Sequence, residues 1–144
     1  VLGICAGYQM LGLMVRDPEG IEGHPGEASG LGLLDVDTVM KGPKTLVEIS
    51  GTDLATGEVV SGYEMHMGKT KGDRQPMLRL GGEADGAVQG LVSGCYLHGL
   101  FNEDGVVLSN TPFPFAIEII SIAPSIQIPG LLMFSTDHFS SYVP

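Results

Sequence analysis

Cys5 and His98 are the two side chains of this chain whose types and settings fit nucleophilic chemistry. Cys5 lies in Val1-Leu2-Gly3-Ile4-Cys5-Ala6-Gly7, a short apolar run with a glycine on either side of the thiol, followed at once by an amphipathic stretch. Strand, sharp turn, helix is the order in which a nucleophile is held on a strained corner. Gly3 and Gly7 stand where a side chain would crowd that corner. A thiol at a helix N-terminus has its pKa lowered by the aligned peptide dipoles, so more of it is thiolate, the attacking form. The competing reading is that Cys5 is a small buried hydrophobe, the commonest fate of a free cysteine. A lone G-x-C-x-G does not separate the two.

A thiolate nucleophile needs a base or ion-pair partner, usually histidine, delivered by the fold rather than by sequence proximity. Of the four histidines, His24 lies in a Gly/Pro loop and reads as a surface residue, and His138 lies near the C-terminus. His98, in Gly94-Cys95-Tyr96-Leu97-His98-Gly99, sits where a strand opens into a loop, a common place for catalytic side chains. The alternative for His98 is a satisfied core histidine. His66 and Glu64 share one face of a strand, with Tyr63 and Met65 on the other. Two such residues do not make a metal site, and no metal is expected. Gln9, four residues after Cys5, either faces the thiol's pocket or is an ordinary surface residue of a helix. Cys95, beside Tyr96 in a strand, reads as core.

Several elements must position these groups. Leu2 to Cys5 reads as the end of a buried strand, and Tyr8 to Arg16 as a helix with Met10, Leu11, Met14 and Val15 on one face. Asp17-Pro18 ends it, and Glu19 to Gly30 is a Gly-rich acidic loop. Leu31 to Met40, Leu46 to Ile49 and Glu58 to Met67 carry strand patterns, with turn chemistry over Gly51 to Gly57. Ala87 to Leu97 reads as two short strands with a turn near Gly90.

The 144 residues are enough for one domain with a sizeable core. Seven basic against seventeen acidic residues give a net charge of −10, with no Lys/Arg cluster, which argues against nucleic acid or an anionic membrane surface as partner. Two cysteines are too few for a disulfide framework, and no leader segment is present, so a cytoplasmic setting is expected. Val1 opens the chain inside what reads as a core strand, so the sequence is expected to be a fragment lacking an upstream part. From Val106 onward there is no Lys or Arg, and five of nine prolines crowd into the rest. Residues 105–144 therefore read as an atypical tail, such as a shifted reading frame or aberrant splice would give, with residues 1–104 as the domain. Glu118, Pro124 and Pro129 argue against a membrane-spanning helix in that tail.

Three blocks, GICAGYQMLG, SGYEMHMGKT and GCYLHGLF, together with LGLLDVDTVM and DGAV, resemble the glutamine amidotransferase domain family of the cobyric acid synthases from Val1 to about Asp104. The YQMLG continuation favours these over the related cobyrinic acid a,c-diamide synthases. The resemblance implies an α/β fold, class I glutamine amidotransferase-like (flavodoxin-like), with a parallel-core sheet and flanking helices, incomplete at its N-terminus. It implies an enzyme that hydrolyses glutamine and passes ammonia to an ATP-dependent synthetase, which amidates adenosylcobyrinic acid a,c-diamide in cobalamin biosynthesis. By it Cys5 is the nucleophile, His98 the base and proton donor, Gln9 a contact for bound glutamine, and the Ala6 N–H one oxyanion donor. ATP and magnesium would belong to the upstream synthetase domain, with no cofactor in this segment, and the corrinoid would meet the protein there. Glu64 and His66 enter as second-rank candidates without a derived role. Many class I glutaminases carry a glutamate two residues after the histidine; here that place is Leu100, so a Cys–His dyad is expected. The second oxyanion donor would also lie upstream, so the fragment alone is expected to be weak or inactive, and a non-catalytic remnant is the rival reading.

Overall fold

A computed structural model of the chain describes residues 1–43, 45–100 and a two-residue strand at 119–120. In chain order the elements are β1 (Leu2–Ile4), α1 (Ala6–Leu11), β2 (Met14–Asp17), β3 (Gly26–Ser29), β4 (Asp37–Val39), β5 (Thr45–Asp53) and β6 (Val59–His66). They continue with β7 (Lys69–Lys71), β8 (Leu78–Leu80), β9 (Glu83–Asp85), β10 (Ala87–Gln89), β11 (Val92–Cys95), β12 (Leu97–His98) and β13 (Ile119–Ile120).

Three sheets are formed, in the orders β10-β11-β1-β13, β12-β6-β5-β8-β9 and β3-β2-β4-β7. The expected parallel core with flanking helices is met in part. β1 pairs in parallel with β11 and β13, and β2 with β4, while the remaining ladders are antiparallel. Among the described residues α1 is the one α-helix, so the molecule is sheet-rich with mixed sheets.

The helix expected over Tyr8 to Arg16 stops at Leu11, and Met14–Asp17 is strand β2 instead. Gly12 permits the break, since a Cβ there would lie 2.5 Å from the Val36 carbonyl oxygen. Leu13 N–H donates to that oxygen at 2.8 Å, so the chain leaves the helix to join β4's neighbourhood. Arg16 then reaches Asp37 of β4 at 2.7 Å. Tertiary pairing here overrides an apolar spacing that also fits a helix. The acidic loop likewise holds β3, paired antiparallel with β2 through Arg16↔Glu27. The strand read over Glu58 to Met67 is present as β6, and the hairpin near Gly90 as β10–β11.

Two apolar clusters carry the core. One joins Tyr8, Leu11, Leu34, Val36, Ala87 and Tyr96 beneath α1. The other joins Val60, Leu78, Leu80, Cys95, Leu97 and Leu100. No helix of the described residues is long and apolar enough to cross a membrane. Apart from β13, the expected tail over 105–144, and His138 with it, lies outside the described residues.

Candidate active site

Cys5 stands between β1 and α1 with φ 56° and ψ −116°, and it is the one non-glycine residue of positive φ among the described residues. An L-residue holds that region only when its surroundings over-determine it, at a cost of about 1–3 kcal/mol. The surroundings here are explicit. Ile4 is in parallel register with Cys95, and the Cys5 N–H donates to the Cys95 carbonyl at 2.9 Å. Gly3 makes room for the turn, since a Cβ on it would sit 2.8 Å from the Gly7 carbonyl and 2.6 Å from Leu11 Cδ1. The helix that follows has six residues, and its first N–H groups, Ala6's among them, have no intrahelical acceptor.

Strand β6 and the residue after it touch this corner and the 96–98 segment at four points. The Tyr63 ring stacks on the His98 imidazole, with centroids 4.9 Å apart and planes 3° apart. The Met65 carbonyl accepts from Cys5 Sγ at 3.4 Å. The His66 imidazole stacks on the Tyr96 ring at 3.6 Å. The Met67 carbonyl accepts from Gln9 Nε2 at 3.0 Å. Residues 65 and 67 therefore offer main-chain oxygens to Cys5 and to α1, while the Tyr63 and His66 side chains pack on the segment that delivers His98. This is the structural content of the SGYEMHMG block, which the sequence alone left without a role.

Cys5 and His98 are both held against β6, at Met65 and at Tyr63, two residues apart on one strand, or about 7 Å of rise. β12 pairs with β6 through Leu97↔Glu64 and His98↔Tyr63. Gly62 permits the approach, because a Cβ on it would collide with the His98 carbonyl oxygen. Leu100, two residues after His98, is 4% exposed within the second apolar cluster. Cys95 is fully buried, and burial pushes its thiol up to about 12.

Gln9 is buried, with its second Nε2 contact to the Tyr96 hydroxyl at 3.1 Å. Glu64 and His66 lie on the other face of β6, near Asp85. Burial raises the Glu64 pKa, and the neighbouring Asp85 adds to the rise. Burial lowers that of His66, helped by the nearby His98, against the pull of Asp85 and of backbone hydrogen bonds at Gly68 and Met67. Asp85 itself is raised by burial, opposed by N–H donors from Tyr96 and Gly86 and by the charges of His66 and Arg74. Its Oδ2 accepts the Tyr96 N–H at 3.1 Å. Asp85, Tyr96 and Tyr63 are the site-lining groups that reading the sequence missed. An Asp before a left-handed glycine, Gly86 at φ 72°, reads first as turn chemistry. Among the described residues no group of three or more His, Cys, Asp or Glu is placed to hold a metal ion.

Comparison with known proteins follows the same span. The profile of the CobB/CobQ-like glutamine amidotransferase domain matches residues 1–106. Cobyric acid synthase from Methylorubrum populi is 58% identical over 109 residues, covering 72% of this chain and 22% of that protein. The same enzyme from Caulobacter sp. is 58% identical over 106 residues, covering 70% of this chain and 22% of the relative, and that from Bradyrhizobium diazoefficiens is 53% identical over 108, covering 72% and 22%. The chain thus spans about a fifth of the length of the curated relatives it matches. With the profile covering well over half of the chain and the corner, β6 block and His98 all inside the match, the chain belongs to the CobB/CobQ-like glutamine amidotransferase domain family.

Proposed function

We propose that this chain is the glutaminase portion of a cobyric acid synthase, with Cys5 as nucleophile and His98 as its base and acid. The observation that carries the reading is Cys5 in a left-handed turn at the head of α1, its thiol against β6, inside a span that matches this family. The Cys5 thiolate attacks the side-chain amide carbon of glutamine, and the C–N bond breaks as protonated His98 gives its proton to the leaving nitrogen, releasing ammonia. Water then attacks the thioester carbon with His98 taking its proton, glutamate leaves, and the thiolate returns. The Ala6 N–H is suited to the oxyanion that forms twice in this cycle. Gln9 is placed to meet the bound glutamine.

Ammonia would go to an ATP- and magnesium-dependent synthetase portion outside this chain, which would amidate peripheral carboxylates of adenosylcobyrinic acid a,c-diamide. We assign the cofactors and the corrinoid to that portion. The parallel pairing of β1 with β11 supports a flavodoxin-like arrangement around the nucleophile. Residues 1–104 would be the glutaminase unit and 105–144 a separate tail. The cytoplasm is the setting that suits two free cysteines. The test is glutamate release from glutamine by the purified chain: turnover abolished in Cys5→Ala supports the reading, and turnover retained in that variant overturns it.

A further inference from the structure

Gln9 can be oriented from its partners alone. The Met67 carbonyl only accepts, so the end of the Gln9 carboxamide 3.0 Å from it must be the NH2 group. The second Nε2 proton goes to the Tyr96 hydroxyl at 3.1 Å. Tyr96 then accepts from Gln9 and has its own proton to give, and Thr70 Oγ1 lies 2.5 Å away. Thr70 Oγ1 is in turn 2.7 Å from Thr38 Oγ1. Thr38 and Thr70 are register partners across β4 and β7, so the chain of hydroxyls ends on a paired ladder. Tyr96 is buried and packed edge-on to Tyr8, with centroids 5.2 Å apart at 76°. Its backbone N–H is held by Asp85 and its ring face by His66. Each group in the chain has one donor direction left once its predecessor is fixed.

We infer that Tyr96, backed by Thr70 and Thr38, is a positioning residue that fixes which way the Gln9 carboxamide points, keeping both its N–H donors inward and its Oε1 turned to the ligand. The inference rests on the glutaminase reading and deepens it, since Gln9 is there the glutamine contact. A carboxamide held only by Met67 could swing about its last torsion, which is broad. Two donors in fixed directions remove that freedom before substrate arrives, which lowers the ordering cost on binding.

The experiment compares two alkylators of Cys5 on the intact chain: diazo-oxo-norleucine, which carries the amino-acid head of glutamine, and iodoacetamide, which lacks it. In Tyr96→Phe the half-saturating concentration of diazo-oxo-norleucine should rise about tenfold, the worth of one buried hydrogen bond, with the limiting rate little changed. Iodoacetamide should label Cys5 at the wild-type rate. Thr70→Val should shift saturation the same way by less, and Thr70→Ser should restore it. Wild-type saturation in Tyr96→Phe overturns the inference, as does equal slowing with both reagents. The Gln9 side-chain amide resonances give a readout free of substrate: they should move in Tyr96→Phe and in Thr70→Val, and unmoved signals also overturn it. A wild-type chain whose Cys5 reacts with iodoacetamide but never takes the glutamine-like label overturns the functional reading instead, leaving the Gln9 resonances to decide the inference.

Discussion

The Tyr63 ring lies face to face with the His98 imidazole, 3° from parallel at 4.9 Å, so one side of the candidate base is held by a flat aromatic surface. Leu100, two residues further on, is buried among Val60, Leu78, Leu80, Cys95 and Leu97. The place that holds a carboxylate in many class I glutaminases is therefore a core position here, and the stack on Tyr63 fixes the ring plane. His98→Ala should reduce glutamine turnover by at least a hundredfold, the usual worth of a positioned acid–base group. His24→Ala, at an exposed loop residue, should be near neutral. Equal effects of the two in steady-state assays would remove His98 from the mechanism.

Inserting the missing carboxylate should harm the protein. Leu100→Glu places an ionisable group in an apolar cluster with no cation in it, at a cost of several kcal/mol. Urea denaturation should show a large loss of stability and turnover should not improve; faster turnover in this variant would contradict the dyad.

The strain at Cys5 is measurable apart from its chemistry. At φ 56° and ψ −116°, alanine keeps the steric cost of a Cβ while glycine removes it. Cys5→Gly should therefore be more stable than Cys5→Ala by about 1 kcal/mol, after allowing for glycine's entropy. Chemical denaturation of the two inactive variants makes the comparison, and an alanine variant of equal or greater stability would show an unstrained corner. Gly3→Ala should cost about 1–3 kcal/mol through its contacts with Gly7 and Leu11.

His66 should titrate below the ordinary histidine value of 6.5, because burial disfavours its charged form more than Asp85 favours it. A base whose folded pKa is depressed lends stability that is full above its unfolded pKa and is lost as pH falls through the folded value. Imidazole proton NMR across pH 4 to 8 reads the midpoint directly, and a midpoint at or above 6.5 contradicts the burial argument.

Asp85 runs the other way. Its raised pKa means that its contribution is full below the ordinary carboxylate range and is lost as pH rises through the folded value. Asp85→Asn keeps an acceptor for the Tyr96 N–H and removes the charge. The variant should melt higher than wild type at pH 8, with the gap closing as pH falls toward 4. A gap that widens on acidification would show a carboxylate stabilised by its neighbours, against this assignment.

What the sequence determined by itself was local. Gly3, two residues before Cys5, announces a tight corner because a Cβ there has nowhere to go, and the alternation over β6 announces a strand with Glu64 and His66 on one face. The place of His98 at a strand's end was legible too. The helix length was not, because Met10, Leu11, Met14 and Val15 fit a helix as well as a helix broken at Gly12, and only the Val36 carbonyl decides between them. Nor were the contacts that hold the site. Met65 and Met67 act through main-chain oxygens, which every residue carries, so no side-chain pattern marks them. Tyr96, Thr70, Thr38 and Asp85 come together through the ladder registers and the turn between β11 and β12, and register is a property of paired strands, not of either one alone.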